Sequence, residues 1–225
     1  MSGTGHSDYA VWMIATRHSA TTPGFGRIVV VASLGGMQAI TAVLAELPAT
    51  YPIPVAVVLH HSRSGVRDLL GPILARRTRL PARVAEAGDA ADLLGITVVP
   101  AETIATIDPA GRWVLADNGD GIGPGDALLA SSADITPTVA VILTGALTDG
   151  AEGCRAVKRA GGRVLVQDPA TARASSMPAN AIATGCADFV LPPERLASAL
   201  LAITTAPGAA DLLAVPLPPW ARISS

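Results

Sequence analysis

The sequence predicts an α/β protein with a doubly wound, mostly parallel sheet of the Rossmann-like kind and one antiparallel hairpin. Short apolar runs alternate along the chain with stretches whose apolar residues recur at helical spacing, which is the pattern of repeated strand–helix units. Hydrophobic residues make up 50% of the chain, but aromatic residues only 3%. Small aliphatic side chains must therefore fill the core, which suits closely packed layers of helices and sheet.

Five short apolar runs are predicted as strands of this sheet, at residues 28–32, 54–59, 138–143, 163–166 and 188–191. The first is an unbroken β-branched run, as expected for a strand that is buried on both faces. A hairpin is predicted from residues 103–107 and 112–116. The residues between them, Asp108-Pro109-Ala110-Gly111, have the composition of a type I turn.

Helices are predicted between these strands. The first carries an apolar stripe and ends at Pro48, with the stripe formed by Met37, Ile40, Leu44 and Leu47. The second has Ser64 as its cap, and its stripe is formed by Val66, Leu69, Leu70, Ile73 and Leu74. Gly71-Pro72 lies inside that stripe and predicts a kink or a late start. Further helices are expected at about residues 150–160, from Met177-Pro178, and from Pro193.

The chain of 225 residues is expected to hold one domain. Residues 1–26 show no sustained periodicity and are predicted to be a flexible N-terminal segment. Residues 27–203 contain all the predicted strands and helices and form the domain. Residues 204–225 are rich in alanine and proline and are predicted to be an irregular tail.

Charge and cysteine content exclude several classes of partner. Sixteen basic against eighteen acidic residues give a formal net charge of −2, and no basic stripe extends beyond Arg76, Arg77 and Arg79, so no nucleic-acid partner is expected. No segment reaches the about 20 apolar residues that a membrane span needs, and no secretory signal is evident, so a cytoplasmic protein is expected. Cys154 and Cys186 are far apart in sequence and are expected to be reduced, with no metal and no cofactor.

Polar residues that can do chemistry follow three of the predicted strands. Ser33 follows the first strand, His60 and His61 follow the second, and Asp149 lies in the segment after the strand at 138–143. Ligands of open parallel sheets bind outside the carboxyl ends of the strands, so these side chains are expected at one edge. A hydroxyl, an imidazole and a carboxylate together can perform nucleophilic acyl chemistry.

The serine segment also has simpler interpretations. Ser33 could cap the following helix or be a small residue in a tight turn. Gly35 and Gly36 could hold a phosphate at a helix N-terminus, since free backbone N–H groups attract anions. The spacing matches neither a dinucleotide-binding fingerprint nor a phosphate-binding loop, and the segment differs from the G-x-S-x-G elbow of hydrolases by one glycine.

The histidines and the aspartate have structural alternatives as well. A histidine at a strand end can be a hydrogen-bonded structural residue, and Asp149 can cap the helix that follows it. Successive side chains of an extended segment point to opposite faces, so only one of His60 and His61 can face the site. The pattern alone does not choose between these two histidines.

Five segments in the same order carry a resemblance to a known family. They are Val30-Val31-Ala32-Ser33-Leu34-Gly35-Gly36, Val57-Val58-Leu59-His60-His61, Leu143-Thr144-Gly145-Ala146-Leu147-Thr148-Asp149-Gly150-Ala151, Arg159-Ala160-Gly161-Gly162 with Gln167-Asp168-Pro169-Ala170-Thr171, and Met177-Pro178-Ala179. Because of these five segments, residues 27 to about 195 resemble the catalytic domain of the bacterial chemotaxis protein-glutamate methylesterases, the CheB family. The resemblance implies the same α/β fold.

The resemblance also implies a site and a reaction. It assigns the nucleophile to Ser33, the base to His60 rather than His61, and the orienting acid to Asp149. It places the oxyanion or substrate-binding groups at Leu34, Gly35, Gly36 and Ala146. The implied activity is hydrolysis of glutamate methyl esters on a methylated chemoreceptor-like protein, with a related deamidation of glutamine.

The chain departs from the family around the implied triad. The chain has Leu34 where the family usually has a threonine, and Leu59-His60-His61 where the family has a Gln-His-Met motif. Ser62 and Arg63 replace two prolines, and Ala146 replaces the methionine of a Gly-Met-Gly segment. Of the family's proline-glycine segment, only Val99-Pro100-Ala101 remains. These changes motivate an alternative, a catalytically weakened binding or scaffold module of a signalling system. A third interpretation is an unrelated anion-binding Rossmann-like domain. The first 26 residues are too few for the family's receiver domain, so no control by phosphorylation in cis is expected.

Overall fold

The fold is built on strands and helices that alternate along most of the chain. The computed structural model describes residues 24–60, 69–118 and 123–206. The strands are β1 (Arg27–Ala32), β2 (Val55–Leu59), β3 (Ala82–Val84), β4 (Ile96–Val98), β5 (Thr103–Ile107), β6 (Trp113–Asp117), β7 (Thr138–Ile142), β8 (Arg163–Gln167) and β9 (Phe189–Leu191). The helices are α1 (Gly36–Leu44), α2 (Leu70–Arg77), α3 (Pro124–Ile135), α4 (Ala151–Arg159), α5 (Ser176–Ala183) and α6 (Pro193–Thr205), with one 3-10 turn at Pro169–Thr171.

Seven of these strands form one sheet in the order β3-β4-β2-β1-β7-β8-β9. Every neighbouring pair in this sheet is parallel. The other two strands, β5 and β6, form an antiparallel hairpin. The predicted fold class, a doubly wound and mostly parallel sheet with one antiparallel hairpin, is confirmed.

Strand β1 is the centre of the sheet and is buried on both faces. Its side chains alternate between two apolar clusters, with Ile28 and Val30 in one and Val29 and Val31 in the other. Helices α1, α2 and α6 contribute to the first cluster, whereas α3, α4, α5 and the hairpin contribute to the second. The unbroken β-branched sequence of β1 follows from this two-sided burial.

The hairpin turn and the start of α2 agree with the sequence pattern. Asp108 Oδ1 accepts hydrogen bonds from the backbone N–H groups of Ala110 and Arg112, and the Gly111 N–H donates to the Asp108 carbonyl over 2.8 Å. Helix α2 begins at Leu70, so the late start predicted from Gly71-Pro72 is confirmed. Its predicted cap, Ser64, lies outside the described residues.

Three elements have no counterpart in the sequence prediction. Strands β3 and β4 contain three residues each, too few for an apolar run to stand out. Helix α3 buries small or polar residues such as Ser132 and Ala133 beside Leu128 and Leu129, so its buried face shows little apolar periodicity. This unpredicted helix proves to be part of the candidate site.

The ends of the domain pack more closely than the sequence suggests. Phe25 is buried in the core, and the Gly26 N–H donates to the Pro137 carbonyl over 2.9 Å. At the other end, α6 continues to Thr205. The rest of the proposed N-terminal segment and tail lies outside the described residues, so the domain bounds stay predictions. No helix in the described part of the chain has the length and apolar content to cross a membrane.

Tyr51 links the loop after α1 to α6. Its hydroxyl lies 2.8 Å from Thr204 Oγ1, which itself donates to the Leu200 carbonyl. Tyr51 therefore donates to Thr204. Burial raises the pKa of Tyr51 to about 12.

This pKa predicts a loss of stability at alkaline pH. The unfolded tyrosine ionises near pH 10, whereas the folded one holds its proton to about pH 12. The stabilising contribution is complete below about pH 10, and about 2 to 3 kcal/mol of it is lost as the pH rises through the folded pKa. Urea unfolding between about pH 9.5 and 12 measures this loss, and Tyr51→Phe should reduce the slope. Equal slopes in the two proteins would contradict the account.

Candidate active site

The carboxyl ends of β2, β1 and β7 lie side by side at one edge of the sheet. Ala32 and Leu59, the last residues of β1 and β2, are register partners. The residues that follow them, Ser33 and His60, therefore leave the sheet next to each other. The chain order reverses at β1, which is the switch point where open α/β sheets bind their ligands.

The imidazole of His60 contacts the carboxylate of Asp149, which is brought to this edge by the segment between β7 and α4. His60 Nδ1 lies 3.0 Å from Asp149 Oδ2. The side chain of His60 is 32% exposed, whereas that of Asp149 is 3% exposed. An ionised carboxylate can only accept, so in a neutral imidazole Nδ1 carries the proton and Nε2 keeps its lone pair. His61, the alternative histidine, lies outside the described residues.

Helix α3 completes the surroundings of the Asp149 carboxylate. The backbone N–H of Gly125 donates to Oδ2 over 3.1 Å, and that of Asp126 donates to Oδ1 over 3.0 Å. Both groups belong to the first turn of α3, where N–H groups have no intrahelical partner and the helix dipole favours negative charge. The carboxylate is therefore buried with three donors around it. Pro124 followed by Asp126 was a sequence signal for this helix start.

Two glycines allow this close approach of helix and carboxylate. A Cβ at Gly123 would lie 2.1 Å from Asp149 Oδ1. A Cβ at Gly125 would lie 2.4 Å from Val31 Cγ1 and 3.0 Å from Asp149 Oδ1. Gly123 has a φ of −63°, which any residue can adopt, so the space taken by the carboxylate excludes a side chain there.

The turn after β1 ties Ser33 to the end of β7. The Ser33 N–H donates to the Thr144 carbonyl over 2.9 Å, and Thr144 Oγ1 donates to the Leu34 carbonyl over 2.9 Å. Thr144 is held in turn by Gln167, whose Oε1 accepts the Thr144 N–H over 2.8 Å. Gly35 bends the chain into α1 with a φ of 81°, a left-handed conformation that suits glycine. Within the described residues, Ser33 Oγ takes part in no hydrogen bond.

The backbone N–H groups around Ser33 differ in availability. The Gly36 N–H donates to the Ser33 carbonyl over 2.8 Å and closes the turn. Within the described part of the chain, the N–H groups of Leu34, Gly35 and Ala146 are left without an acceptor.

The comparisons with known proteins agree with this architecture. A family model described as CheB methylesterase matches residues 28–200. The chain belongs to the CheB methylesterase family.

Individual relatives of this CheB-family chain show the same relationship. The chain is 34% identical over 220 residues to a protein-glutamate methylesterase/protein-glutamine glutaminase of Moorella thermoacetica, covering 88% of this chain and 49% of that protein. It is 34% identical over 197 residues to the protein-glutamate methylesterase FrzG of Myxococcus xanthus, covering 83% of this chain and 57% of that protein. The chain thus spans about half the length of these relatives.

A solved structure matches the fold. The crystal structure of the Thermotoga maritima CheB methylesterase catalytic domain superimposes with a TM-score of 0.72 at 30% identity. The match covers 78% of this chain and 97% of that domain. The fold of this chain therefore includes nearly all of the elements of that domain.

Asp126 is a second carboxylate of this candidate site and was not singled out in the sequence. Its Oδ1 accepts the Gly153 N–H over 2.7 Å, so it joins the start of α3 to the start of α4. Burial raises the pKa of Asp126; the hydrogen bond from Gly153 opposes this shift and the charge of Asp149 adds to it. Among the described residues, no group of three or more His, Cys, Asp or Glu side chains could hold a metal ion.

The crowding at Gly123 gives a test of the packing around Asp149. We expect Gly123→Ala to destabilise the domain by about 1 to 3 kcal/mol, because the new methyl group displaces the carboxylate. In an Asp149→Ala background the same substitution should cost little, because the colliding atoms are gone. Urea unfolding of the four proteins in this cycle measures both values. The same cost in both backgrounds would show that the carboxylate is not what excludes a side chain at residue 123.

Proposed function

We propose that this domain hydrolyses methyl esters of glutamate side chains on a protein, and deamidates glutamine by the same route, with Ser33, His60 and Asp149 as a catalytic triad. The observation that carries the proposal is the contact of 3.0 Å between His60 Nδ1 and Asp149 Oδ2, beside the strand end that presents Ser33. The names of the relatives from Moorella thermoacetica and Myxococcus xanthus support the same chemistry.

The first half of the proposed reaction forms an acyl-enzyme. Ser33 Oγ attacks the ester carbonyl carbon while His60 Nε2 accepts the hydroxyl proton. The bond from that carbon to the methoxy oxygen then breaks, and His60 returns the proton to this oxygen, so that methanol leaves. The glutamyl group remains bound to Ser33 as an ester.

The second half regenerates the serine. A water molecule attacks the acyl carbon and gives a proton to His60 Nε2. The bond to Ser33 Oγ breaks, the oxygen takes the proton from His60, and the product is a glutamate side chain. With a glutamine substrate, ammonia replaces methanol as the first leaving group.

Asp149 acts through the imidazole of His60. It holds the proton on Nδ1, which leaves Nε2 as the base, and its negative charge stabilises the imidazolium that forms during each half-reaction. The N–H groups of Gly125 and Asp126 keep the carboxylate in place. The side chain of Asp149 is 3% exposed, so the attraction between these charges is weakly screened by water.

The oxyanion of the tetrahedral intermediate needs backbone donors. The family resemblance implies four residues for this role, and we assign it to the N–H groups of three of them, Leu34, Gly35 and Ala146. The Gly36 N–H binds the Ser33 carbonyl and instead stabilises the turn. One such donor contributes about 10²-fold to 10³-fold to turnover.

The proposed substrate is a methylated chemoreceptor-like protein in the cytoplasm. The curated relatives named as protein-glutamate methylesterases support a protein-bound glutamate ester. The mechanism needs no metal and no organic cofactor, because Ser33, His60 and water supply every group that forms or breaks a bond.

Release of methanol tests this proposal. The full chain is incubated with a methylated chemoreceptor, or with a peptide that carries a glutamate γ-methyl ester, and methanol is measured over time. Ser33→Ala should lower the rate constant by about 10⁴-fold or more, because the nucleophile is lost. Ser175→Ala is the matched control and should keep the wild-type rate. Ser175 is an exposed serine at the same edge of the sheet, and its side chain forms no capping hydrogen bond.

A Ser33→Ala variant that keeps the wild-type rate would disprove the assigned nucleophile. A wild-type protein that binds the methylated receptor without releasing methanol would favour the scaffold alternative.

A further inference from the structure

Two exposed leucines belong to the two chain segments that meet at Ser33. Leu34 directly follows it and is 44% exposed, and Leu147 is 72% exposed, more than any other large hydrophobic residue in the described part of the chain. The loop that carries Leu147 lies against the serine, because a Cβ at Gly145 would lie 2.9 Å from Ser33 Cβ. The hydrogen bond from Thr144 Oγ1 to the Leu34 carbonyl joins the two segments. We refer to Leu34 and Leu147 as the leucine rim.

Leu147 has a strained backbone. Its φ is +70°, a left-handed conformation in which the Cβ of an L-residue crowds its own backbone. Helix α5 holds it there from both sides. Ser176 Oγ accepts the Leu147 N–H over 3.1 Å, and Asn180 Nδ2 donates to the Leu147 carbonyl over 2.8 Å.

Folding does not explain a leucine at residue 147. A glycine would remove the backbone strain, and a polar side chain would remove apolar surface from water. With 72% of its surface exposed, the leucine contributes little to the core. Strained residues of this kind are found at ligand clamps and active sites, where the surrounding structure holds them. A contact with a bound molecule would explain a leucine at this position.

The chemistry of the leucine rim selects what binds there. The two leucine side chains offer no hydrogen-bond donor or acceptor, so a charged or polar group pressed against them would lose water without compensation. The aliphatic stem of Arg173 extends the apolar surface, since its Cβ, Cδ and Cγ lie 2.8 to 3.3 Å from a Cβ built at Gly35. An aliphatic side chain would be removed from water at this surface at no such cost.

We propose that the leucine rim binds an aliphatic side chain of the substrate polypeptide, next to the glutamate whose ester reaches Ser33. This inference rests on the proposed function and adds the class of sequence around the ester. Leu147 is then a specificity-determining residue. It acts on binding of the substrate segment and not on the bonds that break.

Binding to a protein that cannot turn over separates this inference from the proposed reaction. In the Ser33→Ala background, the full chain is titrated with three blocked peptides that carry a glutamate γ-methyl ester. The residues beside the ester are leucine in the first peptide, serine in the second and glutamate in the third. The variants are Leu147→Ala and, as matched control, Leu94→Ala. Leu94 is 56% exposed and precedes β4, so it lies near the amino end of that strand, away from Ser33.

The leucine peptide should bind about 5-fold to 20-fold more tightly than the serine peptide, as expected for burying an aliphatic side chain. Leu147→Ala should remove most of this preference, whereas Leu94→Ala should keep it. A loss of affinity that is equal for all peptides would indicate a structural role for Leu147 and overturn the proposal. Equal binding of the three peptides, tightest binding of the glutamate peptide to the Arg173 guanidinium, or no binding would overturn it too. If the preference is found but the wild-type chain releases no methanol, the leucine rim stands and the proposed function fails.

Discussion

The candidate site depends on one buried carboxylate. Asp149 is almost completely removed from water, yet His60 Nδ1, the Gly125 N–H and the Asp126 N–H all donate to it. An ionised group without such partners would be expensive to bury. With them it fixes the orientation of the imidazole and attaches the first turn of α3 to the segment after β7. Removing the carboxylate would therefore disturb both the chemistry and the packing of this edge.

The parallel sheet provides the conditions for that contact. Because β1 pairs with β2 on one side and with β7 on the other, Ser33, His60 and the segment that leads to Asp149 leave neighbouring strands at one edge. Small residues let the layers approach. Gly123 and Gly125 leave room for the carboxylate, and Gly145 leaves room beside Ser33. The chain achieves this arrangement with few aromatic side chains, which agrees with close contacts between the backbone and its neighbours.

Much of this arrangement was predictable from sequence, because buried parallel strands are short apolar runs and the polar residue after each one is easy to recognise. Ser33 and the pair His60-His61 were found in this way, and the resemblance to the family selected His60. Helix α3 was missed because Ser132 and Ala133 take the place of large apolar residues on its buried face. The left-handed conformation of Leu147 could not be predicted, since it is held by the distant Ser176 and Asn180. Such contacts exist only after the chain has folded.

Covalent labelling by a serine-directed fluorophosphonate, followed by peptide mapping in a mass spectrometer, tests most directly whether this edge of the sheet activates Ser33. We expect one adduct, on Ser33. Labelling should be absent in Ser33→Ala and much slower in His60→Ala, because the hydroxyl alone is a weak nucleophile. An adduct at another serine, or equal labelling of the wild type and His60→Ala, would contradict the assignment of His60 and Asp149 as the groups that activate Ser33.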